Sequence, residues 1–129
     1  MPINSRQKGS RAERQAAKLM EEVTGLRWRR GQQVKGTAES PDIECESPYV
    51  NKLIQVEVKH VQNLSIYAAH EQAIQDAEGS EVRKIPVVLC KKNNKPWLMC
   101  ILPEDAAHFW HVIDAGIQSV ASGEDKPLW

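Results

Sequence analysis

Cysteine is scarce in this chain, with three in 129 residues, an odd number and none in C-x-x-C spacing. That supply excludes a complete disulfide framework and gives no sign of a zinc site; two of the three fall in apolar, strand-like runs, so reduced core thiols in a reducing compartment are expected. Long hydrophobic stretches are missing as well. No run approaches the ~20 apolar residues needed to cross a bilayer, and the first residues are polar and basic rather than built like a secretory signal. The expectation is a soluble, cytoplasmic protein with no membrane partner. Net charge is absent too, since 17 Lys and Arg balance 17 Asp and Glu. The length suits one domain over residues 1–129, with apolar content for a single core.

The charge is absent only in total. Residues 1–35 hold nine Lys and Arg against three Glu, whereas residues 36–129 hold eight against fourteen acids. A basic half beside an acidic half suits a phosphate-binding region next to a metal site, although a charge run is more often a solvated surface.

The acidic half contains Ser40-Pro41-Asp42-Ile43-Glu44 and, shortly after, Leu53-Ile54-Gln55-Val56-Glu57-Val58-Lys59. Alternation along a strand puts Ile54, Val56 and Val58 on one side and Gln55, Glu57 and Lys59 on the other. One face is apolar and the other is chemical. Same-side residues lie ~7 Å apart, so Glu57 and Lys59 can address one small site, and Asp42 joins them if it begins a neighbouring strand. Paired carboxylates resist ionising together, and a hard cation such as Mg2+ relieves that repulsion. The cation activates water and neutralises a phosphate, while the lysine orients that water or steadies the developing charge. Pro41 fits the first position of a strand.

Pro41-Asp42 with Glu57-Val58-Lys59 resembles the core of the PD-(D/E)xK nucleases, and Lys8-Gly9-Ser10-Arg11-Ala12-Glu13-Arg14 resembles the start of archaeal-type Holliday junction resolvases, here in the form of a small phage-encoded relative. The resemblance implies a restriction-endonuclease-like α/β core and a Mg2+-dependent DNA endonuclease, with Mn2+ able to substitute. It further implies that Glu13, Asp42, Glu57 and Lys59 form the catalytic set, with the Val58 carbonyl as a further metal ligand and Glu13 acting directly or through water. The substrate implied is a four-way junction or other branched DNA, as in recombination, and symmetric cleavage there calls for a homodimer. Other substrates within the same chemistry are restriction, repair or flap DNA. A non-catalytic DNA-binding accessory protein is the alternative from a different class.

In chain order, residues 1–9 read as a flexible basic arm carrying Arg6 and Lys8, and a helix follows from Arg11 to Val23, with Gly25 as its stop. Ser10 to Glu13 is also a capping-box pattern, so Glu13 is read equally as a helix cap. Leu26–Val34 reads as a strand interrupted at Gly31, with Trp28 a core residue ahead of a base-stacking one. Lys35–Ser40 is a polar loop whose position just before Asp42 suits a phosphate-holding turn and equally a merely loop-shaping role. Candidate DNA contacts are Arg6, Lys8, Arg11, Arg14, Arg29, Arg30, Lys35 and Ser40. A second strand over Asp42–Glu46, with Glu44 and Glu46 turned to solvent, joins the central strand antiparallel through a turn at 47–52. A helix over Ile66–Glu78 follows, where Gln75 is a possible accessory residue of the site. The Ile85–Cys90 run is a buried strand, Trp97–Leu102 returns beside it, and a last helix runs from Pro103 to Asp114 before a polar tail over 117–129 that ends in a free or partner-docked Trp129. The expected order is α-β-β-β-α-β-β-α around a mixed central sheet.

Overall fold

Apolar residues recurring at helical spacing from Ala12 onward give the first helix a face to bury, and Ala12, Ala16, Ala17 and Met20 are all buried. The computed structural model describes residues 5–31, 41–78 and 82–129, and in it this helix, α1, spans Ser5–Thr24. It starts inside the segment expected as a flexible arm. Ser10 is therefore an interior residue, and the capping box ending at Glu13 does not form. Gly9 costs the helix only about 1 kcal/mol relative to alanine, too little to stop an element anchored by its buried face. The stop falls where expected, because Gly25 adopts φ 79° and its N–H bonds Glu21 O at 2.9 Å.

Five strands follow: β1 (Trp28–Arg30), β2 (Ile43–Cys45), β3 (Ile54–His60), β4 (Ile85–Lys91) and β5 (Leu98–Cys100). They lie side by side in that order, antiparallel except for β3 and β4, which run parallel with Glu57 opposite Val88. The expected turn between β2 and β3 is instead a short helix, α2 (Pro48–Leu53). Ser47 caps it by accepting from Val50 N–H at 3.2 Å, and Pro48 sits in its first turn, where no N–H is needed. The order is thus α-β-β-α-β-α-β-β-α. It remains an α/β fold with a mixed sheet flanked by helices, in keeping with a restriction-endonuclease-like core.

The crossover from β3 to β4 is helix α3 (Ile66–Glu78), and the last helix, α4, spans Pro103–Ser122. On one side of the sheet Ile43, Ile54, Val56, Val87 and Leu89 pack with α1 and with Phe109, Val112 and Ile113 of α4. On the other side Val88 and Cys90 meet Ala69 and Ala73 of α3. Ala68, expected on that packing face, is exposed. Helix α4 runs on past Gly116, where it was expected to stop, because that glycine is a contact point: a Cβ there would lie 2.5 Å from Val50 Cγ2 of α2. The true stop is Gly123, with φ 81°.

Beyond Gly123 the chain is tied down on its own sheet. Ser47 Oγ donates to Asp125 Oδ2 at 2.7 Å, Leu128 N–H donates to Glu46 O at 2.9 Å, and the Trp129 ring lies 4.0 Å from the Arg29 guanidinium. Among the described residues no helix is long and apolar enough to cross a membrane.

Candidate active site

Alternation in β3 directs Gln55, Glu57 and Lys59 to the α3 side of the sheet. That face is buried over its first half. Gln55 is 1% exposed and Glu57 9%, while Lys59 is half-buried toward the strand's end. Asp42 immediately precedes β2 and is held by backbone on two sides. Its N–H donates to Val56 O at 3.2 Å, and its Oδ2 accepts from Val58 N–H at 2.8 Å. Gly31 N–H donates to Asp42 O at 2.9 Å from the other side. Only glycine permits this approach, since a Cβ on Gly31 would sit 2.1 Å from Pro41 O. The break expected at Gly31 is therefore what seats Asp42.

The consequence appears at Glu57. Burial, and next the Asp42 charge beside it, push its carboxyl up to about 8; the Gln55 amide works the other way, Asp42 also hydrogen-bonds it, and Asp76 of α3 adds further repulsion. Gln55 Nε2 donates to Glu57 Oε1 at 3.1 Å, and the other amide atom, Gln55 Oε1, is buried with no partner. Two carboxylates that cannot comfortably ionise together, beside an orphaned oxygen, fit a hard divalent cation.

Lys59 lines a cavity of about 340 Å3 whose walls include Glu13, Val58 and His60. Glu13 enters it from α1 with its carboxylate already engaged, because Arg30 Nε donates to Glu13 Oε2 at 2.8 Å. Among the described residues no group of three or more His, Cys, Asp or Glu is placed to hold a metal. Asp42 and Glu57 come together; Glu13 does not join them as a third carboxylate.

A family model described as "Phage putative PDDEXK endonuclease" matches residues 4–115. The chain belongs to this family. Comparison with curated proteins and with solved structures found no match. The family description names an endonuclease and no particular form of DNA.

The remaining candidates of this PD-(D/E)xK endonuclease divide by location. Arg11 and Arg14 are exposed on α1, and Arg6 and Lys8 lie in its first turns. Arg14 lines a groove with Lys18, Arg29 and Arg30, floored by Trp28. Arg29 and Arg30 are not bare cations there, since Arg29 Nε bonds Glu44 Oε1 at 2.7 Å and Arg30 bonds Glu13. Glu44 and Glu46, expected to face solvent, are ion-pair partners, with Glu46 buried against Arg27. Trp28 is core, and its Nε1 donates to Thr24 Oγ1 at 2.9 Å. Lys35 and Ser40 lie outside the described residues.

On α3, Gln75 is exposed, and the residue that acts on Glu57 is its neighbour Asp76, which also accepts from Gln72 Nε2 at 3.2 Å. Two residues near Glu57 were thus not singled out from sequence. Asp76 lies three positions after buried Ala73, a spacing that places it toward the sheet. Gln55 stood on the chemical face by alternation, but nothing local showed that α3 would bury it.

Proposed function

We propose that this PD-(D/E)xK endonuclease hydrolyses DNA phosphodiester bonds with a divalent cation, Mg2+ by preference and Mn2+ in its place, held by Asp42 and Glu57. The observation that carries this reading is the buried Glu57 carboxyl pressed against Asp42, with no Lys or Arg paired to either among the described residues. When bound, the cation offsets both negative charges, makes water a better nucleophile and draws charge from the phosphate. The chain's own residues do the rest. Backbone N–H of Val58 fixes one Asp42 oxygen, which would leave the other for the cation, and the Val58 carbonyl would serve as a further ligand. Lys59 orients the attacking water or steadies charge developing on the phosphate. Glu13, steadied by Arg30, places a water in the cavity it shares with Lys59.

The groove of Arg14, Lys18, Arg29 and Arg30, together with Arg11, Arg6 and Lys8 on α1, receives the phosphate backbone. The substrate we propose is branched DNA, a four-way junction first of all, on the strength of the resolvase-like residues 8–14. Two copies of the chain would then act as a homodimer, one site for each of two symmetric cuts. The test compares cleavage of a mobile four-way junction with linear duplex and flap DNA of the same sequences. Preference for the junction by a dimer is expected, and equal rates would leave a nuclease without junction selectivity. If no divalent cation elicits cleavage, or Asp42→Asn leaves it unchanged, the chain is a DNA-binding accessory protein.

A further inference from the structure

The proposed cation site has two carboxylates where a hard divalent ion takes six or more oxygens, and Glu13 is turned to Arg30 instead of supplying a third. Gln55 stands beside the pair. Its side chain is 1% exposed on the central strand, one amide atom donates to Glu57 Oε1 at 3.1 Å, and the other, Oε1, has no partner. An unpartnered buried polar atom costs about 1–3 kcal/mol. Packing does not explain the residue, since its register partner on β4, Pro86, and the next residue on that face, buried Val88, are apolar, and a leucine there would carry no such penalty. Both amide atoms share one carbon, so the free oxygen lies beside the same carboxylate that the amide nitrogen holds. Amide oxygens are ordinary ligands of hard cations.

We infer that Gln55 belongs to the cation site: its Nε2–H fixes the orientation of Glu57, and its Oε1 supplies the third side-chain oxygen beside Asp42 and Glu57. This rests on the cation reading above and adds to it a ligand outside the PD-(D/E)xK pattern itself. It also accounts for a buried amide where β3 otherwise alternates apolar and ionisable residues. Asp76, across from Glu57 on α3, keeps the pocket electronegative without touching this role.

The experiment is titration calorimetry of the full chain with Mn2+ in the absence of DNA, for the wild type, Gln55→Leu and Gln55→Glu, alongside melting of each cation-free protein. Gln55→Leu is expected to weaken Mn2+ binding about tenfold or more while the cation-free protein melts no lower than wild type, because the orphaned oxygen is gone. Gln55→Glu keeps an oxygen in place and is expected to bind Mn2+ at least as tightly as wild type. Equal affinity in the wild type and Gln55→Leu overturns the inference and leaves the two-carboxylate site standing. A Gln55→Leu protein that melts lower without cation overturns it as well, since the amide would then be structural. No Mn2+ binding by the wild type removes the cation reading itself.

Discussion

Two groups of carboxylates in this molecule differ in what faces them. Along β1 three acids have an arginine: Glu46 bonds Arg27, Glu44 bonds Arg29 and Glu13 bonds Arg30. Just before β2 and within β3, Asp42 and Glu57 face each other, with Asp76 behind them and no Lys or Arg in an ion pair with either among the described residues. The first group is neutralised from within and ties α1, the sheet and the residues around Trp129 together. The second holds unspent negative charge in a buried place, an arrangement that lowers stability until a cation arrives. Like residues serve as fasteners at one edge and as a receptor in the middle.

The contrast is sharpest in activity. Asp42→Asn or Glu57→Gln is expected to lower divalent-dependent cleavage about a thousandfold, while Glu57→Gln raises the melting temperature of the cation-free protein, because a neutral group replaces a repelled one. Glu44→Gln should leave cleavage near the wild-type level and lower the melting temperature, because Arg29 then loses its charged partner. Cleavage assays and thermal melts of the same samples check this, and equal loss of activity in both variants would erase the distinction.

Next in size is the pH dependence. The Glu57 carboxyl is raised from an ordinary 4.5 to about 8 by burial and by Asp42. Between those values the folded protein holds a proton that the unfolded chain has released, so its contribution to stability is complete below pH 4.5, is lost as pH rises, and is gone above about 8. Cation-free unfolding should therefore become easier over that window, by about 1.4 kcal/mol per pH unit at most from this group. Cation affinity should rise about tenfold per unit up to the same limit, as a proton is displaced. Denaturant melts with a chelator and with Mn2+, at pH 5 and 8.5, test both slopes; a chelated protein more stable at the higher pH would contradict the assignment.

Smaller effects belong to the paired edge. Arg27→Ala leaves Glu46 buried without its partner and should cost about 1–3 kcal/mol, more than Arg29→Ala, whose partner is less enclosed; denaturant titration compares them. Smallest is Arg14→Ala or Lys18→Ala, each expected to flatten the salt dependence of DNA binding by about one unit if it meets one phosphate, with stability unchanged. An unchanged slope would mean that the groove on α1 does not carry the backbone.

Much of the centre was legible beforehand. The alternation around Glu57, Pro41 ahead of Asp42 and the alanines of α3 each obey a local rule of strand or helix, and those elements lie close to where the rules put them. The errors fall where distant parts decide. Ser10 to Glu13 has the letters of a cap, but a helix continues wherever its buried face is supported, and Glu13 then finds Arg30. Gly116 reads as a stop, yet a glycine inside a helix also marks close packing, here against Val50. Glu44 and Glu46 look solvated until β1 brings arginines alongside.

From its own residues, then, the chain set the type of most elements, the pairing of β2 with β3 and the face on which Gln55, Glu57 and Lys59 stand, because these depend on spacing and on side-chain shape over a few positions. Tertiary structure alone decided which acids received an arginine and which were left together, that α3 would bury Gln55 and bring Asp76 toward Glu57, and that the segment ending in Trp129 would close over Arg29. Charge pairing and desolvation act between side chains far apart in the chain, and no local pattern records them.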